Sequence, residues 1–210
     1  MLLLTYFLAF IRRLHTWIIV KLNYKKIING FDLHIGRNSK FWAPNLIEIG
    51  NSVYIGKNVT IECDIKIGNF VLIANNVSII GRHDHDFRCI GVPVRFAPWI
   101  GGCSSKLKFK QTIIEDDCWI GFGAVIMSEI IINRGAIIAA GSVVTRDVPS
   151  YSIVAGNPAI VIGSRFSSKF DIEIHEKTIG STNFFFSERG YRYWSKQTKD
   201  NLIAKNNNLI

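Results

Sequence analysis

Cysteine is scarce in this chain, acidic side chains are outnumbered, and no apolar run is long enough to cross a bilayer. The four cysteines, Cys63, Cys89, Cys103 and Cys118, fall at no metal-ligand spacing and form no disulfide framework. That points to a reducing, cytoplasmic setting and predicts no bound metal. Asp and Glu together number 16 against 25 Lys and Arg, for a formal charge of +9. The excess suits an anionic partner, whether a nucleotide-bearing cofactor, an acidic glycan or an anionic membrane surface, or it serves solubility alone. No RNA- or DNA-binding motif accompanies it, so nucleic acid is not an expected partner. The apolar stretch Met1–Phe10 lacks a basic leader and is interrupted by Arg12, Arg13 and His15 before Trp17–Val20. It is too short to span a bilayer and has no cleavage pattern.

What the chain does have is a six-residue beat. Isoleucine or its equivalent recurs at Ile49, Ile55, Ile61, Ile67, Ile73 and Ile79, and again at Ile114, Ile120, Ile126, Ile132, Ile138 and Val144. Four residues after each, save Ile79 before the interruption, comes a second small or apolar residue, from Val53, Val59 and Ile65 through Cys118, Ala124 and Ser142 to Val148. Turn formers such as Gly56-Lys57-Asn58 and Asp116-Asp117 lie between them. A helical face needs apolar residues three and four apart, and a simple strand alternates by two for longer than this. Short strands coiling with turns around one apolar interior satisfy every position, which predicts an all-β solenoid.

The repeat, as in Ile55-Gly56-Lys57-Asn58-Val59-Thr60, resembles that of the hexapeptide acyltransferases, and the closing stretches Ile138–Pro149 and Val154–Ala159 are similar to the way that family ends its coil. The resemblance implies a left-handed parallel β-helix with three hexapeptides per triangular coil, so that residues eighteen apart stack. The boundaries read as an N-terminal segment over 1–34, a β-helix domain over 35–166 interrupted by a loop over 80–112, and an extension over 167–210. The N-terminal segment has two readings, a helix capping the first coil or an in-plane anchor at the cytoplasmic face of the inner membrane. The extension contains an aromatic-basic cluster, Phe184–Trp194, with readings as a cap, a groove lining or a glycan contact.

A long excursion from a solenoid is where function concentrates. This one carries Gly81-Arg82-His83-Asp84-His85-Asp86, and an imidazole is suited to taking a proton from an attacking hydroxyl. Sugar O-acetyltransferases of the resembled family carry their base early in such a loop. That implies His83 as the catalytic base, with His85 as the alternative. Asp84, Asp86 and Glu62 are carboxylates suited to orienting the ring, and Glu62 stacks one coil from Ile80 at the loop root. The family likeness also places acceptor-contacting acidic residues on the coil before the loop, where Glu62 stands, and Asp84 is a further substrate-binding candidate. Trp119, where the beat resumes, matches an active-site tryptophan of galactoside, maltose and polysialic acid O-acetyltransferases, and Trp99 is a second aromatic candidate.

The same resemblance implies acetyl-CoA as donor, lying against Gly123, Ala140, Gly141 and Thr145, where small residues also meet the packing needs of coil corners. Relatives carry a basic residue after the Asn-Pro turn, whereas Ile160 and Gly163 stand here, so Arg146 or Arg165 is the substitute for the phosphate end. A homotrimer is implied as well. The function expected is acetyl transfer to a sugar hydroxyl of a bacterial surface polysaccharide such as O-antigen lipopolysaccharide, capsule or exopolysaccharide. Alternatives are acetylation of small sugars, xenobiotics or amino sugars and, from another class, a γ-type carbonic anhydrase, whose zinc would need His15, His34 or His175 beside His83 and His85.

Overall fold

The computed structural model describes residues 2–22, 26–82, 84–99, 110–181, 184–185 and 196–197. Residues Ile11–Arg165 form one compact unit, a left-handed parallel β-helix with three faces. The first face stacks Ile27–Asn29, Ile47–Ile49, Ile65–Ile67, Thr112–Ile114 and Ile131–Ile132. On the second lie His34–Ile35, Tyr54–Ile55, Leu72–Ile73, Trp119–Ile120, Ile137–Ile138 and Ser152–Gly156, closed by the antiparallel strand Ala159–Ser164. Lys40–Trp42, Thr60–Glu62, Ser78–Ile80, Val125–Met127 and Val143–Val144 make the third.

The six-residue beat is the inward row of this prism. Ile55, Ile61, Ile73, Ile79, Ile114, Ile120, Ile126, Ile132 and Ile138 are all 0% exposed, each burial stabilising by roughly 1.5–3 kcal/mol. The companion positions, Val53 through Val148, are buried too. Corners repeat with the same period: Ser52, Asn58, Phe70 and Asn76, then Asp117, Gly123, Glu129, Gly135 and Gly141, have positive φ. Close stacking accounts for the glycine that follows the inward isoleucine. A Cβ on Gly121 would stand 2.6 Å from the Ile138 carbonyl oxygen of the next coil.

Stacked residues lie 18 positions apart through most of the coil, as in Asn51 on Asn69 and Lys57 on Asn75. The first coil is longer. Phe41 pairs with Ile61 and Ile27 with Ile47, a step of 20 that recurs in the Phe31–Asn51 and Ser39–Val59 contacts. The extra residues sit in the Ala43–Leu46 corner, where Asp64 accepts from the Asn45 and Leu46 backbone N–H groups at 2.7 and 2.9 Å. The solenoid thus begins at Ile27, inside the stretch read from sequence as the N-terminal segment.

The helix α1 (Leu2–Leu22) caps this end over its second half. The Ile35 N–H, on the terminal strand of its face, donates to Thr16 Oγ1 at 3.1 Å, and His15 Nδ1 lies 3.2 Å from the Ile35 carbonyl. Ile19 and Val20 pack against the core. Such partners satisfy backbone groups that a solenoid end otherwise leaves bare. At the other end the Asn157–Pro158 turn, whose peptide is cis, folds the last strand back antiparallel. Among the described residues no helix is long and apolar enough to cross a membrane.

In the second unit, Met1–Phe10 and Phe166–Ile210, helix α2 (Lys169–Ser181) starts from a capping box. Asp171 N–H donates to Ser168 Oγ at 3.1 Å while Ser168 N–H donates to Asp171 Oδ2 at 3.1 Å. Phe166 and His175 rings contact at 4.8 Å. Of the aromatic-basic cluster only Phe184–Phe185 is described, paired antiparallel with Lys196–Gln197; the rest lies outside the described residues, as do Cys103 and the loop stretch 100–109.

Candidate functional site

The loop leaves the third face at its outward row. Trp42, Glu62, Ile80 and Met127 are register neighbours on four successive coils, and alternation along each strand turns them away from the inward Phe41, Ile61, Ile79 and Ile126. Glu62 is exposed at this root, one coil from Ile80.

Beyond Ile80 the chain is held against the next coil. Ser128 N–H donates to the Ile80 carbonyl at 2.8 Å, Arg82 N–H donates to Ser128 Oγ at 3.0 Å, and Arg82 Nη2 donates to the Thr145 carbonyl at 3.1 Å. Three hydrogen bonds fix the residues immediately before His83, which itself lies outside the described residues. Asp84 is exposed.

His85 is half-buried, with Nδ1 2.9 Å from the Ala97 carbonyl. A carbonyl only accepts, so a neutral imidazole here carries its proton on Nδ1 and leaves the Nε2 lone pair available to a proton. The segment is braced by an antiparallel bridge from His85 to Trp99 and by Asp86 N–H donating to the Pro98 carbonyl at 2.9 Å. Asp86 is occupied locally with Arg88: the Arg88 backbone N–H and then its guanidinium hold the carboxyl below the usual range. Trp99 meets Trp42 at 6.3 Å between ring centroids, tilted by 59°, and Lys26 Nζ stands 5.9 Å from the Trp42 ring. Trp42 joins the site on the structure alone.

Gly123 and Gly141 stack at the corner between the second and third faces, where Gly141 N–H donates to the Phe122 carbonyl at 2.8 Å. Their φ values are +67° and +70°, and a Cβ on either would meet nothing within 4 Å. Ala140 and Arg146 are exposed and Thr145 half-buried. The Arg82 bond to Thr145 ties the loop root to the far end of the strand Val143–Val144, whose near end follows Gly141, so the open corner and the loop root bound the third face at its two edges.

Two predicted residues sit elsewhere. Trp119 is 51% exposed on the second face, between Leu72 and Ile137 in register, whereas Glu62 is on the third. Arg165 is at the corner between first and second faces, where Nη1 donates to Asp117 Oδ2 at 2.6 Å and to the Asp117 carbonyl at 3.2 Å. Among the described residues no group of three His, Cys, Asp or Glu side chains is placed to hold a metal ion.

Residues 111–146 match the bacterial transferase hexapeptide (six repeats) family. Those residues carry the hexapeptide repeats of that family. This hexapeptide-repeat chain is 38% identical over 123 residues to a probable macrolide acetyltransferase of Lysinibacillus sphaericus, an alignment covering 58% of this chain and 64% of that one. It is 28% identical to the galactoside O-acetyltransferase of Lactococcus lactis subsp. lactis, covering 66% of this chain and 62% of the relative. It thus spans less than two thirds of these relatives' lengths. A hexapeptide-repeat acetyltransferase of Vibrio cholerae O1 biovar eltor, solved with acetyl coenzyme A, superposes with a TM-score of 0.51 at 25% identity, covering 67% of this chain and 72% of that one.

Proposed function

We propose that this protein is an acetyl-CoA-dependent O-acetyltransferase acting on a sugar hydroxyl in bacterial surface-polysaccharide synthesis, as on an O-antigen, capsule or exopolysaccharide. The observation that carries the reading is the third face, bounded at one edge by the open Gly123–Gly141 corner and at the other by the loop root, where Arg82 holds Thr145. A thioester arm laid along that corner runs beside the face whose opposite edge bears the histidine loop. The likeness to acetyltransferases, one solved with acetyl coenzyme A, supports the donor.

His83 takes the proton of the acceptor hydroxyl, the oxygen attacks the thioester carbonyl carbon, the C–S bond breaks, and the thiolate of CoA receives the proton from the imidazolium. His85 is the alternative base, its Nε2 lone pair set by the bond from Nδ1 to Ala97. Glu62 and Trp42 line the acceptor side, toward the N-terminal coils, with Trp99 and Asp84 on the loop above. Arg146 is the cation nearest in sequence to Thr145 for the phosphates of CoA.

The outward row of the second face, including Tyr54, Leu72 and Trp119 at 44, 42 and 51% exposure, supports a homotrimer in which Trp119 faces the site of a neighbouring copy. Free Cys63, Cys89 and Cys118 support a cytoplasmic location. A second reading, acetylation of a small xenobiotic hydroxyl, is favoured by the probable macrolide acetyltransferase among the relatives.

Mass spectrometry after incubation with acetyl-CoA and separate panels of surface glycans, free sugars, amino sugars and macrolides tests the proposal. Ester-linked acetyl on the glycans is expected. Acetylation confined to macrolides or to amines would replace the substrate class.

A further inference from the structure

Over its second half, α1 has two unlike faces. Thr16, Ile19 and Val20 turn to the first coil and hold the helix in place. On the opposite face Ile11, Leu14, Trp17, Ile18 and Leu22 recur at three- and four-residue spacing and are 41, 42, 59, 42 and 81% exposed. Arg13 and Lys21, both exposed, border them.

We propose that this face docks on an anionic lipid surface, the helix lying in the plane of the headgroups. A helix on a soluble surface turns its polar residues outward, and a contiguous apolar patch marks an interaction site. Here the patch cannot fold back onto the coil, because the other face already does. The charge is complementary: Arg13 and Lys21 flank the patch on a chain of formal charge +9, the arrangement by which interfacial helices combine apolar burial with attraction to acidic headgroups. Trp17 supplies an amphipathic ring at the depth where indoles settle. Because the helix is not long and apolar enough to cross a membrane, the lipid contact is peripheral. This inference stands apart from the acetyl-transfer reading.

Flotation of the full-length chain with phosphatidylcholine vesicles, with and without phosphatidylglycerol, tests it. The chain is expected to float with the phosphatidylglycerol vesicles, to be released by added salt as the charges are screened, and to bind neutral vesicles weakly. Leu14→Glu with Trp17→Glu should lower the bound fraction about tenfold or more, with an unchanged thermal melt and unchanged mass in solution. Should that variant fail to fold, Arg13→Gln with Lys21→Gln carries the same test, losing binding to the anionic vesicles. Absence of wild-type flotation with either vesicle, equal binding by the variants, or a drop in oligomeric mass in Leu14→Glu/Trp17→Glu would overturn the proposal, the last by assigning the face to contact between copies of this chain.

Discussion

The Arg82 guanidinium donates to the Thr145 carbonyl at 3.1 Å across 63 residues of sequence, joining the residue before His83 to the coil that carries Gly141. Arg82 is a positioning residue in the proposed chemistry, since it holds the loop root against the end of the strand Val143–Val144. Arg82→Met should reduce kcat about tenfold while changing KM for acetyl-CoA less than about twofold, because misplacing a base is costlier than losing one surface contact. Steady-state kinetics with varied acetyl-CoA reads the split, and a rise in KM alone would assign Arg82 to cofactor binding instead.

Ser142 occupies an inward position and, among the described residues, its Oγ is a buried polar atom without a hydrogen-bond partner. An unsatisfied buried hydroxyl costs about 1–3 kcal/mol. Ser142→Ala should therefore raise the free energy of unfolding by about 1 kcal/mol, seen as a higher denaturation midpoint at unchanged slope.

Arg165 and Asp117 pair at 2.6 Å with side chains 23 and 17% exposed. Arg165→Ala leaves the carboxylate without this partner and should lower stability by about 1–3 kcal/mol while leaving KM for acetyl-CoA within about twofold of wild type. An intact melting curve with a large rise in KM would return Arg165 to the phosphate end of the cofactor.

Burial, ahead of every other cause, pushes the Cys118 thiol up to about 12 and the Cys63 thiol up to about 11. Iodoacetamide at pH 8 should spare both in the folded protein and label both in denaturant. Since the unfolded thiols ionise near 9.0, the folded state holds more protons above that value. Stability accordingly falls as pH rises from about 9 through the folded values, and a melting series across that range should show the decline.

The core was legible because an inward row of isoleucines leaves its period directly in the sequence, and each of the twelve beat positions from Ile49 to Val144 is buried. The first coil was not, because the longer Ala43–Leu46 corner changes the step to 20. That shift also hid Trp42, which stacks on Glu62 only once the step is known. The loop was visible as an interruption, whereas the contacts of Arg82 with Thr145 and of Arg165 with Asp117 join residues 63 and 48 apart and have no periodic trace. The Ser168–Asp171 capping box that starts α2 is a local signal open to sequence reading.

The most direct test of the central claim is thiol release from acetyl-CoA by wild type, His83→Ala and His85→Gln, each with a responding glycan acceptor. Acceptor-dependent release that falls by about a hundredfold or more in His83→Ala and less in His85→Gln is the predicted result. Full activity in both variants, or no release with any hydroxyl-bearing acceptor, would contradict it.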